Sequence, residues 1–96
     1  MYITITSGQS TTAQVEKTER FLGEFLRRMK QLPGVIAIYP FRRPEKNDDT
    51  TIVIWENEEA LKKYREGDLI KEVIKFEREN NLSVTREGYP LVFAFK

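Results

Sequence analysis

The feature that most constrains this chain is a set of strand-like runs that are apolar on both sides. In residues 35–41 (VIAIYPF), Val35, Ala37, Tyr39 and Phe41 fall on one side and Ile36 and Ile38 on the other. Residues 50–55 (TTIVIW) set Ile52 and Ile54 opposite Val53 and Trp55, and residues 91–95 (LVFAF) set Leu91, Phe93 and Phe95 opposite Val92 and Ala94. A sheet with one wet face alternates apolar with polar residues, because successive side chains point to opposite faces. These runs do not alternate, so both faces of the sheet need cover. Two helical stretches in a chain of 96 residues cover one face. The other is expected to pack against the same face of a second copy, in an isologous dimer that hides a large apolar patch.

Residues 50–72 organise the rest of the chain. Their β-branched and aromatic start reads as a strand. Asn57 is suited to cap the helix that follows, and Glu58 and Glu59 complement the positive end of its dipole. Leu61 and Tyr64 share one helical face; beyond Gly67, which breaks the helix into two segments, Leu69, Ile70, Val73, Ile74 and Phe76 resume helical spacing.

Upstream, residues 1–6 alternate Met1, Ile3 and Ile5 with Tyr2, Thr4 and Thr6, as a short strand does. Ser7-Gly8-Gln9-Ser10 reads as a turn, and Thr11 or Thr12 as the cap of a helix whose apolar face is Val15, Phe21, Leu22, Phe25, Leu26 and Met29. Leu32-Pro33-Gly34 ends that helix. Pro40 marks the second strand as kinked or at an edge, and residues 42–49 read as a hairpin loop into the third. Asn80-Asn81 is a helix stop, residues 82–85 a short extended piece, and Gly88-Tyr89-Pro90 a turn into a final strand at 91–95. The order is βαββαβ, a single α+β domain over residues 1–96 with a ferredoxin-like, four-stranded antiparallel sheet and its helices on one face.

Composition removes several functions. Sixteen Lys and Arg against fifteen Asp and Glu, interspersed, leave a net charge of +1, which offers nucleic acid or an anionic membrane no footprint. There is no Cys and no His, so thiol nucleophiles, thiolate or imidazole metal sites and the usual general base are all missing. No metal and no cofactor is expected. The start MYITITSGQ has no basic segment followed by a long apolar run, so a soluble, cytoplasmic protein is expected.

Three segments carry a resemblance: Leu32-Pro33-Gly34-Val35 before the second strand, Thr51-Ile52-Val53-Ile54-Trp55-Glu56 followed by Asn57-Glu58-Glu59-Ala60-Leu61, and residues 64–72. In these the chain resembles the antibiotic-biosynthesis-monooxygenase-like domains of the dimeric α/β-barrel superfamily, over nearly its whole length. The resemblance implies a homodimer and one of two chemistries, cofactor-independent oxygenation of aromatic polyketide- or quinol-like compounds or haem degradation. Members of the second group typically carry an Asn on strand one, a Trp in the second helix and a His further along. Here the corresponding residues are Thr4 or Thr6, Tyr64 and Ile74. Ile74 cannot ligate iron, so haem degradation is disfavoured.

The expected substrate site is an apolar pocket between sheet and helices, with Trp55 as an aromatic wall, Tyr64 and Tyr39 as possible hydroxyl donors, and Thr6 on strand one. Each has a plain alternative as a packing residue. Deprotonation of a phenol or activated carbon would fall to a carboxylate, a Tyr or water, with Arg42 and Arg43 available to stabilise an enolate or simply to solubilise a loop. No particular catalytic residue is indicated. The alternative to an oxygenase is a non-catalytic small-molecule-binding or dimerisation module, in which Trp55, Tyr64, Phe76 and Phe93 would fill the same space.

Overall fold

The computed structural model describes residues 1–9 and 14–92. Four strands, β1 (Tyr2–Gln9), β2 (Val35–Arg43), β3 (Asp48–Trp55) and β4 (Ser83–Pro90), form an antiparallel sheet in the order β2-β3-β1-β4. The helices are α1 (Val15–Lys30), α2 (Glu58–Glu66) and α3 (Asp68–Glu79). This is the ferredoxin-like α+β arrangement.

The local signals act as their chemistry requires. Asn57 Oδ1 accepts from the Ala60 amide at 2.9 Å and starts α2. Gly67 has an extended backbone, with ψ −178°, which ends α2 and lets α3 leave in a new direction. Asn80 closes α3, its Nδ2 donating to the Phe76 carbonyl at 2.8 Å. After α1 the chain turns at Gly34, whose φ of +88° and the 2.4 Å that a Cβ would leave to Ala60 Cβ both demand glycine. That turn is tied to the end of β3 by Glu56 N–H donating to the Gly34 carbonyl at 2.7 Å. Pro40 sits in β2, an edge strand, where a missing amide is tolerated.

Two expectations are corrected. Ser7, Gly8 and Gln9 continue β1 and do not turn: Gly8 pairs with Asp49 and Val84, so the first strand spans the full sheet. The last strand is Ser83–Pro90, and Gly88, Tyr89 and Pro90 lie within it, opposite Thr4, Ile3 and Tyr2. Leu91 and Val92 lie beyond the strand, while Phe93 and Phe95, like the proposed caps Thr11 and Thr12, lie outside the described residues. β4 is an edge strand with one unpaired side, where a wetted sequence such as SVTREGYP is well placed.

Alternation then sorts the sheet into two faces. Val53 and Trp55 point toward the helices and join Phe25, Met29, Leu61, Ile70 and Val73 in the buried core. Ile3, Ile5, Ile52, Ile54, Tyr39 and Phe41 occupy the opposite face, where Tyr39 is 58% exposed and Phe41 44%.

Candidate functional site

On the helix side, the strand register lines up residues in rows across the sheet. Trp55, Tyr2 and Pro90 form one row, Val53, Thr4 and Gly88 the next, and Thr51, Thr6 and Arg86 the third. The central rows are built from small and β-branched residues. The helices lay larger side chains above them, Leu22, Phe25, Leu26 and Met29 from α1 and Ile70, Val73 and Ile74 from α3. Short residues below and a bridging helix layer above leave a gap. A cavity of about 300 Å³ results, reaching the surface past the exposed side chains of Arg65 and Ile74.

Few polar groups face this apolar space. Trp55, 1% exposed, donates its indole N–H to Thr4 Oγ1 at 3.0 Å, which fixes the ring as a wall. The Tyr64 ring leans on it, with centroids 5.3 Å apart and planes 34° from parallel. Burial pushes the Tyr64 phenol up to about 12; the Arg86 charge opposes the shift and Glu77 adds to it. Tyr64 is therefore a neutral hydroxyl donor near pH 7 and not a base. Beside it, Arg86 of β4 donates to both carboxylate oxygens of Glu77 on α3, one at 2.9 Å, and the pair ties the edge strand to the helix at the cavity wall. Among the described residues no group of three or more Asp and Glu is gathered that could hold a metal.

Thr6, Trp55 and Tyr64 are thus brought together around one cavity. Tyr39 is not with them: it stands on the opposite face, opposite Ile52, and does not line the cavity. Arg42 and Arg43 are also elsewhere, closing the β2–β3 hairpin. Arg42 bonds Asp49 at 3.2 Å and Asn47 at 2.7 Å, while Arg43 grips both carboxylate oxygens of Asp48 at 2.8 and 2.6 Å.

The polar lining residues that sequence reasoning missed are Thr51, Arg65, Glu77, Arg86 and Glu87. A signal for Glu77 existed: Ile70, Val73 and Ile74 predict an apolar residue on the face that Glu77 occupies. Arg86 carried none, because its strand was placed several residues too late.

The fold recurs in solved structures. A Deinococcus radiodurans protein described as a candidate antibiotic biosynthesis monooxygenase superposes with a TM-score of 0.92 at 12% identity, over 100% of this chain and 97% of that one. The fold is that of the antibiotic biosynthesis monooxygenases. A second such monooxygenase matches with a TM-score of 0.81 at 14% identity, over 96% of this chain and 99% of its own. A mutant of SnoaB, a cofactor-independent oxygenase from Streptomyces nogalater, matches with a TM-score of 0.79 at 11% identity, over 97% of this chain and 95% of its own. In sequence, the chain matches no family model and no curated protein. No helix among the described residues is long and apolar enough to cross a membrane.

Proposed function

We propose that this monooxygenase-fold protein is a cytoplasmic homodimer that oxygenates a small aromatic, polyketide- or quinol-like compound without a cofactor. The observation that carries the reading is the cavity itself, apolar, of aromatic size, and walled by a Trp whose only polar atom is already satisfied. Such a site binds a planar ring and leaves Tyr64 O–H to meet the ring's oxygen substituent.

Glu77 and Glu87 both border this space; Glu87 stands opposite Ile5, whose parity belongs to the open face, whereas Glu77 has Arg86 as the cation beside it. In the proposed reaction a methylene conjugated to a ring carbonyl, as in an anthrone, loses a proton to Glu77, and its electron pair, delocalised onto the carbonyl oxygen as an enolate, is held by Arg86 and Tyr64. The carbanion then reduces O2 and forms a C–O bond. The resulting hydroperoxide loses water and leaves a carbonyl, so that one oxygen of O2 ends in product and one in water.

The bidentate grip of Arg86 on Glu77 favours a second reading, since a carboxylate held this way is a poor base. In that case the same cavity binds an aromatic ligand and does not turn it over. Oxygen-electrode measurements on purified protein with anthrone- and naphthoquinol-type compounds, with chelator and no added flavin or metal, separate the two. Oxygen uptake that Glu77→Gln abolishes supports the enzyme; tight binding with no uptake leaves the binding module.

The dimer is proposed through the open sheet face. Tyr39, Phe41 and Tyr89, at 58, 44 and 49% exposure, stand there with the partly buried Ile3, Ile5, Ile52 and Ile54. Native mass spectrometry reads the assembly directly, and a monomer would overturn this part of the proposal.

A further inference from the structure

Thr18 is 6% exposed in the first turns of α1, and its Oγ1 is buried without a hydrogen-bond partner among the described residues. A buried hydroxyl without a partner is destabilising, and a Val of the same shape would avoid the cost. Where that hydroxyl sits gives it a use. Thr18 lines a smaller cavity of about 60 Å³ that adjoins the large one and shares Thr6, Leu22, Thr51, Val73 and Glu77 with it. Thr4 and Thr6 of β1 line the large cavity, and Thr6 and Gly8 the small one, so together they form a trough along β1. From Thr4 to Gly8 it runs about 13 Å at the usual strand rise.

We propose that the Thr18 end of this trough is an oxygen-recognising subsite: it takes the hydroxyl or carbonyl of a fused aromatic ligand whose rings lie in the large cavity against Trp55. The inference rests on the reading of the large cavity as a ligand site and adds which end of the ligand is read. Two fused rings with one oxygen substituent extend along about half of the trough, so rings that lie toward its Thr6 end carry an oxygen at the far edge to where Thr18 can donate to a carbonyl or exchange hydrogen bonds with a phenol. Thr6 and Thr51 supply further hydroxyl groups along the path. Selectivity of this kind comes from a polar group left unpaired by the wrong ligand, which is why an apolar analogue of equal size is discriminated against.

The test uses two probes of matched shape, 2-naphthol and 2-methylnaphthalene, titrated calorimetrically into the wild type, Thr18→Val and Thr18→Ser. The quantity read is the ratio of their dissociation constants, which removes effects on ring binding common to both. Thr18→Val is expected to lower the preference for 2-naphthol by roughly three- to tenfold, the worth of one net hydrogen bond, and Thr18→Ser to keep it. The free Thr18→Val protein is also expected to melt no lower than the wild type, since no hydrogen bond is lost. An unchanged ratio, or a lower melting temperature for Thr18→Val, overturns the subsite while leaving the large cavity as a ligand site. Failure of the wild type to bind either probe overturns both.

Discussion

The two faces of this sheet are built from similar material and solve opposite problems. The helix-side face has small and β-branched residues at its centre, Thr4, Thr6, Thr51, Val53 and Gly88, and the helices above it leave a cavity. The open face has large residues, Ile3, Ile5, Ile52, Ile54, Tyr39 and Phe41, and no layer of the described residues above it. Covered apolar surface with too little volume makes a binding site, whereas uncovered apolar surface with enough volume makes an interface. Polar groups follow the same division. On the helix side Tyr64 and the Glu77–Arg86 pair border the empty space. On the open face Arg43, Asp48, Thr50 and Ser7 bond one another at the hairpin end, with Ser7 and Thr50 hydroxyls 3.1 Å apart, and present nothing to a ligand.

The sharpest way to break this comparison is to charge the open face. Tyr39→Glu with Phe41→Glu places two carboxylates on residues already exposed in the single chain, so the fold should survive. The proposed dimer should not: light scattering after size exclusion is expected to show a dimer for the wild type and a monomer for the double variant at micromolar concentration, with far-ultraviolet dichroism retained. Persistence of the dimer would move the interface elsewhere. On the helix side, Trp55→Ala removes the most buried large side chain, and its cost is expected at about 3–5 kcal/mol, enough to lower the melting temperature by well over 10 °C in a domain of this size. A drop of only a few degrees would show that the ring is supported mainly by its neighbours' collapse into the space.

Ile74→Trp sharpens the contrast from within the covered face. Ile74 is 38% exposed where the cavity reaches the surface, so a larger ring there blocks entry without crowding the core. Stability should change by less than about 0.5 kcal/mol while aromatic ligands lose measurable binding. Unchanged binding would place the entrance at another point of the trough.

Much of this division was legible from residue order alone. The strand at Thr50–Trp55, the cap at Asn57, the break at Gly67 and the stop at Asn80 each depend on local chemistry, which a sequence displays directly. The two-faced character of β2 and β3 was equally plain, since alternation needs no tertiary information. β4 was hidden because strand propensity favours the run LVFAF, while pairing along β1 requires a partner opposite every residue from Tyr2 to Gln9, and only Ser83–Pro90 supplies it. Losing β4 lost Arg86, and with it the ion pair that defines one side of the site. Tyr39 shows the converse limit: its residue type suits a ligand pocket as well as Tyr64 does, and only strand parity separates them.

The smallest expected effects are titrations, and they assign one pH limb to each face. On the open face, the hydrogen bonds from Arg43 hold the Asp48 carboxyl below its usual range. A carboxyl lowered by folding contributes stability that is present above its unfolded value and is lost as pH falls through the folded one, so this face should fail in acid. On the helix side, burial raises the Tyr64 phenol to about 12. Below about pH 10 neither folded nor unfolded Tyr64 is ionised and the shift contributes no pH dependence; between about 10 and 12 only the unfolded chain releases the proton, so stability falls as pH rises. Urea midpoints measured across both limbs check the assignment. Asp48→Asn should flatten the acid limb alone, and Tyr64→Phe the alkaline limb alone. A single substitution that moved both would mean that the two faces are energetically one unit, with strain at the hairpin transmitted through β3 to the cavity.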